Sequence, residues 1–207
     1  MKKKINYSVE EAIRAINVLK EEKVIRFIEK TSEILSSAFS NKNKLLAAGN
    51  GGSLCDAMHV CEEFSGYYRN KRAALSALVL ADPGHMSCVA NDTGYEYVFS
   101  RGIEALGQPG DVFIALSTSG NSQNLINAVL QAKKQKLATI AFLGKTGGAM
   151  KGLCDLEWIV EGFNTSDRIQ EAHMTALHIV VEMVEQQLFY ANTEKKISVN
   201  KTQPLLV

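Results

Sequence analysis

The sequence predicts an α/β protein: a three-layer sandwich with a doubly wound, five-stranded parallel sheet flanked by helices. Three observations carry that prediction. Short apolar runs alternate with stretches of helical periodicity along the chain. The runs are apolar at nearly every position rather than at every second one, the pattern of strands covered on both faces. Finally, two glycine- and serine-rich loops each follow an apolar run and open into a helical segment, which puts them at the carboxyl ends of strands, where such folds bind ligands.

The first forty residues read as helix. Ser8 and Glu11 have the spacing of a capping box, and Val24, Ile28, Leu35, Ala38 and Phe39 recur at helical intervals. The run Lys20-Glu21-Glu22-Lys23 marks a break between two helices. Strands are expected at 44–48, 74–81, 111–117, 137–143 and 156–160, and helices at 54–67, 94–106 and 122–135. The segments Asp82-Pro83-Gly84-His85 and Ala90-Asn91-Asp92-Thr93-Gly94 have the composition of turns, with polar side chains able to meet sugar hydroxyls. A long amphipathic helix runs from Asp167 to about Tyr190. With the N-terminal helices it offers more apolar face than one small sheet can cover, which predicts an oligomer interface. Residues 191–207 lack periodicity and are expected to form a flexible tail, so that one domain spans 1–207 with its core at about 8–190.

Composition excludes several classes. Lys plus Arg (23) nearly balances Asp plus Glu (22), which leaves no footprint for nucleic acid or an anionic membrane, so any anion site must be local. No apolar stretch approaches the roughly 20 residues of a membrane span, and the apolar region of a secretion signal is missing after Met1-Lys2-Lys3-Lys4, so a cytoplasmic protein is expected. The four cysteines fit neither a zinc knuckle nor a disulfide framework and are expected as buried thiols. Without a secretion signal, the sequons at Asn91 and Asn164 are chance matches.

The two loops read Gly49-Asn50-Gly51-Gly52-Ser53 and Ser117-Thr118-Ser119-Gly120-Asn121-Ser122. Glycine allows tight turns and close backbone approach, and the helix that follows offers free N–H groups and a partial positive charge. The hydroxyls of Ser117, Thr118, Ser119 and Ser122, with no lysine in the turn, suit a phosphate monoester rather than a nucleoside triphosphate, which points to a sugar phosphate. Ser53 and Asp56 have capping-box spacing. His59 and Glu63, four apart on the following helix, project about 6 Å from each other and could share a proton or a metal ion, or could be an ordinary surface pair. Glu62 is expected to point elsewhere. On the last helix Asp167 and His178 share a face, whereas Gln170 lies about 12 Å from His178 along the axis, so one straight helix delivers both to one small ligand only if it distorts or if two subunits contribute. Asp167 and Gln170 also read as a cap and its partner, and His173 as structural or surface.

Ala48-Gly49-Asn50-Gly51-Gly52-Ser53, Cys55-Asp56-Ala57-Met58-His59, Glu62-Glu63, Asn91-Asp92, Phe99-Ser100-Arg101, the Ser117 to Ser122 loop, Gly147-Gly148, and Arg168-Ile169-Gln170-Glu171 with His178 occur in an order that resembles the phosphoheptose (sedoheptulose 7-phosphate) isomerases of the sugar isomerase (SIS) superfamily, over roughly residues 8 to 190. The resemblance implies a cytoplasmic homotetramer with active sites between subunits. It implies conversion of D-sedoheptulose 7-phosphate to D-glycero-D-manno-heptose 7-phosphate through an enediol, the first step of ADP-heptose biosynthesis for the lipopolysaccharide core. Glu63 and His178 would be the acid/base pair. Asn50, Gly51, Gly52, Ser53, Ser117, Thr118, Ser119 and Ser122 would surround the phosphate, with Asn91, Asp92, Asp167 and Gln170 as further substrate contacts. Some members hold zinc, one ion per subunit, and the matching ligands are His59, Glu63, Gln170 and His178; no nucleotide cofactor is implied. The chain departs from the family at Tyr67, where an arginine is frequent; Arg69 is the nearest substitute. Two rivals share the fold: an isomerase of another phosphosugar, and a non-enzymatic adaptor for a replication initiator, which lacks the equivalents of Glu63 and His178.

Overall fold

The computed structural model describes residues 1–190. Strands β1 (Leu45–Gly49), β2 (Ala77–Val79), β3 (Val112–Ser117), β4 (Ala138–Gly144) and β5 (Leu156–Val160) form a sheet of order β2-β1-β3-β4-β5, with every pairing parallel. The order reverses direction at β1 and β3, and both anion-loop candidates leave the carboxyl ends of these two neighbours, paired from Leu45↔Val112 to Gly49↔Leu116.

Alternate residues of β3 show why the runs are continuously apolar. Val112, Ile114 and Leu116 pack into one core with Phe27, Leu35, Phe64, Trp158, Leu177 and Val181. Phe113 and Ala115 face a second core with Phe99, Ile103, Leu125 and Val129. The first core belongs to helices α1 (Lys2–Asn17), α2 (Glu22–Ser40), α3 (Gly52–Ser65) and α7 (Ser166–Glu185), and the second to α4 (Pro83–Asp92), α5 (Val98–Leu106) and α6 (Gln123–Lys134). The expected three layers are present. The break at Lys20 is a 3₁₀ turn, Val18–Lys20, between α1 and α2.

Five expectations are corrected. β2 is three residues long rather than eight, because it is the sheet's edge and pairs only with β1, leaving Leu78 exposed. The stretch read as two turns is the helix α4: Asp82 caps it by accepting the His85 N–H at 2.7 Å, and Pro83 sits at its first position, where no N–H is needed. The helix expected at 94–106 begins as a 3₁₀ turn, Tyr95–Tyr97, after Gly94 at φ 117°. Ser8 and Glu11 form no capping box, because α1 already starts at Lys2, and Glu11 bonds Arg14 instead. Of the free cysteines, Cys61 is buried but Cys55 and Cys88 are exposed. Among the described residues no helix is long and apolar enough to cross a membrane. The expected tail lies outside the described residues.

Candidate active site

The two loops meet as one pocket of about 310 Å³, closed on its third side by the start of α7. Asn50, Gly52 and Ser53 come from the first loop, Ser117, Thr118, Ser119 and Ser122 from the second, and Ser166 and Gln170 from α7. The first residues of α3 and α7 and the N-cap of α6 thus point into one space, and none of the three N-caps is satisfied by its own side chain. Three positive helix ends and a wall of hydroxyls, without a lysine or arginine, make a pocket whose chemistry suits an anion.

The loops are held from behind. Gly120 adopts φ 65°, and a Cβ there would overlap the Gly147 carbonyl oxygen; its N–H donates to Ser117 Oγ at 3.1 Å. The Asn121 side chain accepts the Ala149 N–H at 3.0 Å, which docks the loop on the Gly147-Gly148 turn. Asn50 and Asn124 exchange amide hydrogen bonds of 3.0 and 2.9 Å, and the Tyr95 hydroxyl donates to Asn50 Oδ1 at 3.1 Å. Thr118 and Ser166 hydroxyls share a hydrogen bond of 3.1 Å.

Both capping readings fall here. Ser53 lies inside the first turn of α3, and its Oγ accepts from Gln170 Nε2 at 3.3 Å; Asp167 is turned to Arg168 rather than to a cap. Asp56, expected as the partner of Ser53, has a buried, unpartnered Oδ2, and burial pushes its carboxyl up to about 6.

Further along the same helix pair a second group assembles. His59 Nε2 lies 3.3 Å from Glu63 Oε1 and 3.5 Å from His178 Nε2. One ligand atom of each of the three residues falls within 4.8 Å of the others, and two imidazoles with one carboxylate are a donor set suited to a catalytic zinc. Burial, together with the neighbouring His59, holds the His178 imidazole below its usual pKa, which favours its neutral form. The Tyr68 ring stacks on it at 5.6 Å and 23°. Glu62, expected to point elsewhere, is largely exposed yet comes within 3.8 Å of His59.

Of the four ligands the resemblance implies, the chain brings together three. Gln170 is turned to Ser53 at the start of α3, and its position eight residues before His178 separates the two by about 12 Å. Asn91 and Asp92 sit exposed at the end of α4, bonded to each other, and Asp167 opens toward α1; none of the three lines the pocket between the loops. Tyr67 is exposed, and Arg69 pairs with Glu182 at 2.7 Å. Sequence reasoning missed Asn124 and Ser166. The signal for Ser166 was present in Asn164-Thr165-Ser166, read only as a chance sequon.

Fold and site together define a phosphosugar-binding α/β protein of the SIS class, and residues 9–144 match the SIS domain family. The chain is 53% identical over 174 residues to the phosphoheptose isomerase of Fusobacterium nucleatum, covering 84% of this chain and 89% of that one. It is 44% identical to that of Vibrio vulnificus over 185 residues, 89% of this chain and 97% of that one. Its fold superposes on the phosphoheptose isomerase of Neisseria gonorrhoeae with a TM-score of 0.82 at 32% identity, covering 89% and 98% of the two chains. The Francisella tularensis enzyme gives 0.84 at 29%, covering 89% and 97%. The chain belongs to the phosphoheptose isomerases, and it is an isomerase.

Proposed function

We propose that this chain interconverts D-sedoheptulose 7-phosphate and D-glycero-D-manno-heptose 7-phosphate, the entry to heptose for the lipopolysaccharide core, in the cytoplasm. One observation carries the reading: α3 and α7 lie side by side, with an anion pocket at their starts and a His-Glu-His group farther along. Ser53 and His59 are about 9 Å apart along α3, the scale of a sugar phosphate of several carbons held at its phosphate and acted on at its far end. The phosphate sits among the N–H groups of the three helix ends and the hydroxyls of Ser53, Ser117, Thr118, Ser119 and Ser122, with Gln170 at its edge.

Ketose-to-aldose conversion moves one proton from C1 to C2 and one from O1 to O2. Glu63 removes the C1 proton and returns it to C2 of the enediol, while His178 serves the oxygens and the opening of the ring. The side chain of Glu63 is only 16% exposed, which keeps bulk water from exchanging with the transferred proton. His59, Glu63 and His178 would hold a zinc ion, which as a Lewis acid stabilises negative charge on the enediolate oxygens. Gln170, turned away within one chain, serves the phosphate end.

The assembly we propose is a homotetramer with sites completed between subunits. Ile5, Val9, Ile13 and Ile16 form an exposed stripe along α1, 42–55% accessible, beside α7, and Asn91 and Asp92 would reach a neighbour's site rather than their own. Light scattering at micromolar concentration should give four times the chain mass; a monomer would sink the assembly. The activity is tested by incubating sedoheptulose 7-phosphate with the chain and following the aldehydic product by proton NMR, beside a pentulose phosphate. Conversion of the heptulose alone supports the reading, whereas preference for the shorter sugar would reassign the substrate and no turnover in folded protein would favour the adaptor.

A further inference from the structure

We infer that Arg72 and Glu185 form a buried clamp that positions Glu63 and His178 against each other, an inference resting on the reading of those two residues as the acid/base pair. Their side chains are 2% and 4% exposed and meet at 2.8 Å between Arg72 Nε and Glu185 Oε1. The rest of the guanidinium is spent on the end of α3. Nη2 donates to the Glu63 carbonyl at 2.7 Å, and Nη1 donates to the carbonyls of Phe64 at 2.7 Å, Gly66 at 2.8 Å and Ala73 at 3.1 Å. The last carbonyls of a helix have no partner within it, and a cation there complements the helix dipole, so Arg72 fixes the turn from which the Glu63 side chain projects.

Glu185 performs the matching task on α7. It lies two turns beyond His178 on that helix, and the same Oε1 that accepts from Arg72 also accepts the Tyr68 N–H at 3.3 Å. Tyr68 in turn lays its ring on the His178 imidazole. One ion pair therefore sets the end of α3 that carries Glu63, the end of α7 that carries His178, and the aromatic wall of His178. Stability alone is a weak account of it, because a buried ion pair seldom outperforms apolar residues of the same volume, whereas a fork with four carbonyls and a carboxylate admits a single geometry.

The test compares wild type with Glu185→Gln and Arg72→Lys, in kinetics with sedoheptulose 7-phosphate and in the imidazole Hε1 resonances of the metal-free chain at pH 7. For Glu185→Gln the clamp predicts a kcat lower by about tenfold to a hundredfold, with KM within about twofold because the phosphate pocket lies at the other end of the helices. Arg72→Lys, which keeps the charge and loses the fork, should fall between the two and decides the matter if Glu185→Gln does not fold. The Hε1 line of His178 should lose the displacement imposed by the Tyr68 ring, while those of His85 and His173 stay in place. A folded variant with wild-type kcat and an unmoved His178 line overturns the clamp, and so does movement of all four histidine lines together, which would mean general loosening. If wild type does not act on the heptulose phosphate, the reading of function fails and the resonances alone still decide whether the clamp orders His178.

Discussion

At the starts of α3 and α7 the site is made of backbone N–H groups and neutral hydroxyls; farther along the same two helices it is made of ionisable side chains. On the proposed function the first end recognises and the second transforms, and each uses the material that suits it. A phosphate is already charged and needs only fixed donors, which helix ends and a glycine-shaped loop supply without any pKa to tune. Proton transfer needs groups that change charge, and these require neighbours and burial to set their protonation. Gln170 and His178, on one helix, fall on opposite sides of this division.

If the division holds, damage at the two ends should separate in the kinetics. The largest effect is expected for His178→Gln, with kcat lower by about 10²- to 10⁴-fold and KM near wild type; an equal loss in KM would mean that the imidazole binds rather than transfers protons. Stripping metal with a chelator should also act on kcat alone and be reversed by zinc, while the affinity for inorganic phosphate, measured by calorimetry, stays the same. Ser119→Ala should do the opposite, raising KM by about tenfold with kcat nearly intact, as expected for one lost hydrogen bond to a charged group.

The smallest effect lies outside both ends. His173 is fully buried, donates its Nε2–H to the Leu143 carbonyl at 2.9 Å, and is pushed down to about 4 by burial. The unfolded chain takes up a proton near pH 6.5 and the folded one only near 4, so stability is lost as pH falls through that window, by about 2 kcal/mol at pH 5. Asp56, held up to about 6, works in the opposite direction, because its neutral form is favoured in the fold. Urea midpoints of wild type and His173→Gln at pH 7 and 5 isolate the histidine; equal pH dependence in the two would contradict it.

The same division governed what could be read in the sequence. The two loops of the pocket were legible because their pattern is local: the glycines, the hydroxyls and the strand before them are contiguous, and apolar runs located β1 and β3. His59 and Glu63 were visible as a helical pair, but not their approach to His178, since His178 lies 119 positions after His59. Ser166 and Asn124 were missed because their roles arise only when three helix starts converge. β2 was overdrawn because apolar residues extend past the three that find a partner strand, and α4 was read as turns because Asp-Pro-Gly serves both structures.

The most direct measurement is turnover of sedoheptulose 7-phosphate in D₂O by wild type and Glu63→Gln, with deuterium at C2 of the product read by NMR. The account predicts rapid conversion by wild type, with deuterium at C2 below the solvent fraction, and loss of both turnover and C1 proton exchange in the variant. Undiminished turnover in Glu63→Gln would contradict it.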